Sequence, residues 1–239
     1  MAYLKLLLIR HAQSLGNLQG QMEGQSSTAL SALGQQQAEQ LSHSLGQSTL
    51  PSHIYSSPLL RASQTTDYLT HGLQHLKHSF KIQKTDALQE MHQGVFQGLT
   101  WKQAQYQYPD LCARLLSSLA WQPVPKAESL AAARDRAQLW VNHILSQHRG
   151  GDVIWAVSHE GFLQQLIAGV MGCDRTWKIA IAHTAIFEFW LADIPHQRLD
   201  RSQAQSQKQS QKQSLNNNRF NPECWVLRRF NDASHLAHL

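Results

Sequence analysis

Two short runs of nearly continuous hydrophobicity dominate the chain, Leu4–Ile9 and Val153–Val157. Runs of this length and density predict strands buried on both faces of a sheet. The first stops abruptly at Arg10-His11 and the second at Ser158-His159-Glu160-Gly161. After the first, a helical period takes over, with Leu30, Gly34, Ala38, Leu41 and Leu45 on one face, Ser31 as N-cap and Gly46 as the stop. His53–Ser57 predicts a short strand. It runs into Ser57-Pro58, read as an N-cap with proline in the first helical position, and the helix after it carries Leu59, Ala62, Thr66 and Leu69. Phe80–Lys84 alternates and predicts another strand. Residues 100–149 read as helical, broken at Trp121–Pro125, with an apolar stripe of Leu130, Ala133, Ala137, Trp140, Val141, Ile144 and Leu145 that ends at Gly150-Gly151. An apolar helix to about Gly172 and two alternating strands, Ile186–Ala192 and Trp225–Phe230, complete the pattern. Strands alternating with helices predict an α/β fold whose central sheet is mostly parallel.

At 239 residues with 42% hydrophobic positions, one domain spanning 1–239 is expected, and a wholly disordered chain is excluded. Three widely spaced cysteines, Cys112, Cys173 and Cys224, exclude a disulfide framework and a Cys-x-x-Cys zinc site. The Leu4–Ile9 run is far too short to span a membrane and lacks an export cleavage site, so a cytoplasmic protein with no membrane partner is expected. A formal charge of +5 suits nucleic acid, an acidic surface or a phosphorylated small molecule. The positive residues are not clustered, which argues against nucleic acid. The segment 201–218 is a low-complexity Gln/Ser/Lys/Asn tract, and a disordered insertion over about 197–219 is expected between the two late strands.

Chemistry concentrates where the two core strands end. Ligands of open α/β sheets bind beyond the carboxyl ends of the strands, so His11 and His159 should face one crevice although 148 residues separate them. Arg10 adjoins His11, and Arg61 falls in the first turn of a helix, where backbone amides and the dipole already favour anions. A guanidinium can grip two phosphate oxygens. With the side-chain amide of Asn17, the set reads as a phosphate cradle.

Leu7-Leu-Ile-Arg-His-Ala-Gln-Ser-Leu-Gly-Asn17 resembles the signature of the histidine phosphatase superfamily, which includes cofactor-dependent phosphoglycerate mutases. Tyr55–Thr65, Leu88–Gly98, Glu128-Ser129 and Val157–Gly161 continue the resemblance in family order, and it covers about residues 4–236. It implies a three-layer α/β/α sandwich with a small helical cap, approximately residues 91–130. It implies His11 as nucleophile, Glu90 as general acid and then base, and Arg10, Arg61, His159 and Asn17 as holders of the phosphoryl oxygens. Glu160 and Gly161 would line the substrate crevice. No metal or other cofactor is implied, because those donors take the place of the cation.

Three positions depart from the family pattern. Ala12 stands where glycine is usual, Gln97 replaces an acidic residue, and Glu160 occupies a position often glycine, where its carboxylate is expected to point away from the phosphate. The segment after Glu90 lacks the arginines with which mutases hold phosphoglycerate. The expected function is therefore a metal-independent phosphomonoesterase of the histidine acid type, acting through a phosphohistidine on a small phosphorylated metabolite. Mutase-type transfer and non-catalytic binding of a phosphorylated ligand are the alternatives, and a homodimer is compatible with the sequence. Trp101, Tyr106, Tyr108, Arg114, Trp121 and Lys126 fall in the cap, where the aromatic groups either stack on substrate or pack internally. His71, His75 and His78 have helical spacing, read as a solvated face rather than a metal site.

Overall fold

The computed structural model describes residues 2–48, 50–74, 79–118, 122–173, 178–192 and 225–239. Two expectations, the insertion at 197–219 and the full His71/His75/His78 set, therefore lie outside the described residues, as does Trp121.

In chain order the elements are β1 (Tyr3–Arg10), α1 (Leu15–Leu18), α2 (Ala32–Gly46), β2 (His53–Ser56), α3 (Leu60–Leu73), β3 (Lys81–Lys84), α4 (Trp101–Gln107), α5 (Pro109–Ser117), α6 (Leu130–Gln147), β4 (Val153–Ser158), α7 (Glu160–Val170), β5 (Ile186–Ala192) and β6 (Trp225–Asp232). The six strands form one sheet in the order β3-β2-β4-β1-β5-β6. β3, β2, β4 and β1 run parallel, whereas β5 is antiparallel to β1 and β6 to β5. The expected parallel centre is present, with an antiparallel pair on one side.

Side-chain alternation along the strands generates the three layers. Leu4, Leu6 and Leu8 of β1 and Ile154 and Ala156 of β4 join Trp140, Val141 and Ile144 of α6 and Phe162, Leu163 and Leu166 of α7 in one cluster. On the opposite face, Leu7 and Ile9 of β1 and Trp155 and Val157 of β4 pack with Leu41 and Leu45 of α2 and Ala62, Leu69 and Leu73 of α3. Both faces of the two apolar runs are thus covered, which is why neither run alternates in polarity. A smaller cluster of Phe96, Ala104, Leu111 and Cys112, with Tyr108 against it, holds α4 and α5 together within the 91–130 segment.

Ser31 caps α2 as expected, its hydroxyl accepting from Gly34 N at 3.0 Å. A Cβ at Gly34 would stand 1.9 Å from the Gln13 carbonyl oxygen, so only glycine lets α2 approach the loop after β1 so closely. The expected N-cap at Ser57 is not formed. α3 begins at Leu60, with Leu59 at the cap position and no side-chain cap; Ser57 Oγ accepts from Leu59 N at 3.3 Å, ahead of the helix, and also contacts His159 Nε2 at 2.8 Å. Among the described residues no helix is long and apolar enough to cross a membrane.

Leu7 is fully buried between β4 and β5, facing α2 and α3. Leu7→Ala is expected to cost about 3 kcal/mol of unfolding free energy, through lost transfer energy and the cavity left behind. A chemical-denaturation midpoint measured on both proteins checks this.

Candidate active site

The parallel register of β1 and β4 pairs Arg10 with Ser158, so the residues that follow, His11 and His159, leave the sheet side by side. His11 N donates to Ser158 O at 2.9 Å, and the two imidazole centroids stand 4.9 Å apart. Both rings are buried. β2 ends in register with Val157, which brings Ser57 beneath His159.

His11 is held in one tautomer by its contacts. Nδ1 lies 2.7 Å from the carbonyl oxygen of Ala12, an acceptor only, so Nδ1 carries the proton and Nε2 keeps its lone pair. Arg61 Nε donates to that Nε2 at 3.1 Å. Burial, followed by His159, Arg61 and Arg10, holds His11 well below the ordinary histidine pKa. His159 is lowered in the same way, chiefly by burial and next by Arg61. Both rings are therefore neutral at pH 7. Ala12, fully buried and without positive φ, accommodates its methyl at the usual glycine position and donates its N–H to Thr65 Oγ1 at 3.0 Å.

The guanidiniums reach the site already paired. Arg61, fully buried at the start of α3, donates from Nη1 to Ser26 O (2.6 Å) and from Nη2 to Gly24 O (2.7 Å). Its Nε is 3.7 Å from Glu23 Oε2. Arg10 donates to the Ile181 carbonyl and forms a 3.0 Å ion pair with Glu160. Glu160 therefore does not point away from the cradle, as expected from the sequence. It lines the pocket, with its carboxylate on Arg10 and partly exposed.

Glu90 follows the short turn after β3 and reaches the N-terminus of α7. Its carboxylate accepts from Met91 N (2.8 Å), Gly161 N (3.0 Å) and Phe162 N (2.9 Å). Burial nevertheless raises its pKa above the ordinary carboxylate value, against those N–H donors and Arg61. A Cβ on Gly161 would lie 2.8 Å from Glu90 Oε1, so the absence of a side chain at 161 is what lets the carboxylate dock on the helix end. Arg136 of α6 secures the approach to Glu90. It makes two bonds to the Glu128 carboxylate (2.9 and 2.7 Å), donates to Ala87 O and Gln89 O, and stacks on Phe162.

A cavity of about 300 Å³ opens at these groups, lined by Arg10, His11, Asn17, Arg61, Glu90 and Glu160 among others. Seven of the eight residues singled out from the sequence line this cavity, and the eighth, His159, is fully buried with its ring centroid 4.9 Å from that of His11. The family model of the histidine phosphatase superfamily (branch 1) matches residues 6–200. This chain belongs to that superfamily. It is similar to a metal-independent phosphoserine phosphatase of Arabidopsis thaliana, 28% identical over 196 residues that make up 79% of each protein. It also resembles phosphoserine phosphatase 1 of Hydrogenobacter thermophilus, 28% identical over 170 residues, 71% of this chain and 77% of the relative. Among solved structures, the alpha-ribazole phosphatase of Shigella flexneri shares the fold with a TM-score of 0.72 at 22% identity, over 96% of this chain and 97% of that one.

Asn17 lines the cavity as expected of a cradle residue, with its side chain already bonded within the protein. Its amide nitrogen donates to Glu23 Oε2 at 2.9 Å, and its carbonyl oxygen faces Ser14 N and His183 Nε2 (3.2 and 3.1 Å). Glu23 itself was not legible. It is buried, accepts also from Ser14 Oγ (2.6 Å) and from Thr28 Oγ1, and lines the cavity beside Arg61. His183 was missed too; its ring centroid lies 6.2 Å from that of His11. Neither sits in a motif, since one is a lone loop carboxylate and the other precedes Thr184, a buried residue at φ 58°. Of the expected cap aromatics, Trp101 and Tyr108 pack edge-on against Phe96, and Tyr106 is exposed.

His183 is lowered to about 4 by burial and by Arg10. Its folded pKa lies below its unfolded value of about 6.5, so between those values the unfolded chain binds the extra proton and the histidine's contribution weakens the fold as pH falls. A ring-proton NMR titration should place the His183 midpoint near 4, and His183→Gln should flatten the loss of stability between pH 6.5 and 4.

Proposed function

We propose that this protein hydrolyses a small phosphomonoester without a metal ion, through a phosphohistidine on His11. The observation that carries the reading is the tautomer of His11, a neutral ring with Nδ1–H pinned to Ala12 O and Nε2 directed at Arg61. An imidazole held this way is a nucleophile at neutral pH without needing a base.

In the first step Nε2 bonds to phosphorus as the ester P–O bond breaks. A phosphoryl oxygen takes the Nε–H of Arg61 away from His11, and Arg10 supplies the second guanidinium. The Nδ1 of His159 is buried without a hydrogen-bond partner, and with Ser57 Oγ donating to Nε2 it carries a proton for a third contact. Together these donors meet the charge spread over the equatorial oxygens. Glu90, whose carboxylic-acid form burial favours, gives its proton to the leaving oxygen. As a carboxylate it then takes a proton from the water that attacks phosphorus and breaks the P–N bond. The sum is ester plus water to alcohol plus phosphate.

Hydrolysis is favoured over mutase-type transfer because Arg10 and Arg61 are the cations among the described residues lining the cavity, and both are committed to the phosphoryl group. No arginine or lysine among those lining residues is left for the second phosphate of a bisphosphorylated intermediate. Phosphoserine is the first substrate to test, since two similar proteins are phosphoserine phosphatases. Its ammonium suits Glu160, which the phosphate displaces from Arg10. Residues 91–130 act as the cap that shapes the rest of the crevice.

Hydrolysis of an aryl phosphate in excess chelator is expected from the wild type and should fall at least about 10³-fold in His11→Ala. Equal rates would discard His11 as the nucleophile, and an inactive wild type that still binds vanadate would favour a phospho-ligand sensor.

Glu90→Gln should lose about 10²–10⁴-fold with alkyl esters and much less with aryl esters, whose leaving groups need no proton. Because the Glu90 carboxylic acid is the proton donor, wild-type activity on alkyl esters should decline as pH rises through its raised pKa. That alkaline limb should vanish in Glu90→Gln.

A further inference from the structure

At the opposite, amino-terminal end of the parallel strands lies a second cluster that the proposed reaction does not use. One ring nitrogen each of His53 and His148 and a carboxylate oxygen of Asp152 lie within 4.8 Å of one another. His53 opens β2, His148 caps α6, and Asp152 immediately precedes β4, so three separate elements converge there. We propose that His53, His148 and Asp152 form a binding site for a divalent transition ion such as Zn²⁺, remote from the phosphate cradle.

The geometry fits such an ion in three ways. First, His148 Nδ1 and Asp152 Oδ2 are 3.3 Å apart. Two ligand atoms on one tetrahedral zinc, with bonds of about 2.0–2.1 Å, stand roughly 3.3–3.4 Å from each other. Second, each ring has a hydroxyl to hold it. The Tyr55 hydroxyl is 2.9 Å from His148 Nε2, and Ser52 Oγ is 3.1 Å from His53 Nδ1. Metal-bound histidines characteristically keep the other ring nitrogen on such a partner. Third, the rings are already arranged edge-to-face, their centroids 4.5 Å apart, and Ser52 Oγ also contacts the second carboxylate oxygen of Asp152 at 3.4 Å. The carboxylate side chain is 31% exposed, which leaves a path for the ion and for a water as fourth ligand.

Binding draws the three ligand atoms from within 4.8 Å to zinc-ligand spacing and shifts the tautomer at His148. Without the ion, Nδ1–H donates to Asp152 and Nε2 accepts from the Tyr55 hydroxyl. With it, Nδ1 ligates, the ring proton sits on Nε2, and Nε2–H donates to the Tyr55 oxygen. Neutral imidazoles and one carboxylate suit zinc, cobalt or nickel better than calcium or magnesium. Such an ion would tie α6 to the starts of β2 and β4 while leaving chemistry at the other end of the sheet metal-free.

Competition with a chromophoric chelator, titrating Zn²⁺ alone into the full chain in phosphate-free buffer, tests the site. One ion per chain should bind, Asp152→Asn and His53→Ala should each weaken it at least tenfold, and Tyr55→Phe should weaken it about tenfold. Asp152→Asn preserves the shape and acceptor of the native side chain, so its fold, checked by circular dichroism, should be intact. Co²⁺ should give a visible spectrum of four- or five-coordinate intensity that both ligand variants abolish. Failure of the wild type to bind an ion, or binding by both ligand variants at wild-type strength, would overturn the proposal. Neither result depends on whether the protein hydrolyses phosphoesters.

Discussion

Everything at the phosphate cradle depends on the parallel pairing of β1 with β4. That pairing sets Arg10 opposite Ser158, and the next residue of each strand is a histidine. A slip of one residue would exchange the faces of every side chain in the strand, turning Leu7 and Ile9 away from α2 and α3. The register is therefore fixed by burial along the whole strand, and the two histidines inherit its precision. The same constraint reaches Ser57 through β2, and so settles which nitrogen of His159 is occupied. Core packing thus decides where the two histidines leave the sheet, and the contacts with Ala12, Arg61 and Ser57 set how their rings are turned.

The second organising feature is charge compensation. Two guanidiniums held close together beside buried imidazoles would repel each other, and each is balanced by a carboxylate, Arg61 by Glu23 and Arg10 by Glu160. The two pairs differ in what an incoming phosphate can do to them. Glu23 is buried and accepts from Ser14, Asn17 and Thr28 as well, so it stays and fixes the Arg61 side of the cradle. Glu160 has its one ion pair at the partly exposed mouth and can yield. One arginine is thus rigidly preorganised, while the other is shared between protein and ligand. In the proposed reaction the cost of displacing Glu160 would fall on every substrate, and a positive group on the substrate would offset it.

Much of this was readable beforehand, and the exceptions have physical causes. The two apolar runs, the capped α2, the stripe of α6 and the crevice beyond β1 and β4 follow from periodicity and from where polarity resumes. The helix start at Ser57 failed because the chain stays extended through Leu59, so the Ser57 hydroxyl serves Leu59 N and His159 and not the first turn of α3. The Glu160 orientation failed because reasoning from the phosphate alone ignores the unpaired Arg10 that must be neutralised before phosphate arrives. Glu23 and His183 carry no sequence signal at all. Their neighbours in space, Arg61 and Asn17, are distant from them in the chain or belong to other motifs, so only the closed fold reveals them.

Helix α6 connects the two ends of the sheet and gives the molecule a mechanical logic. In its second turn, Arg136 clamps Glu128 and the carbonyls just before Glu90, fixing the proposed proton donor. At its other end, His148 is tied to Tyr55 of β2 and to Asp152 at the start of β4. Between them Trp140, Val141 and Ile144 are buried against the sheet. The polar networks thus hold both ends of α6 against the sheet, and the one at Arg136 fixes the backbone that carries Glu90 to the first turn of α7.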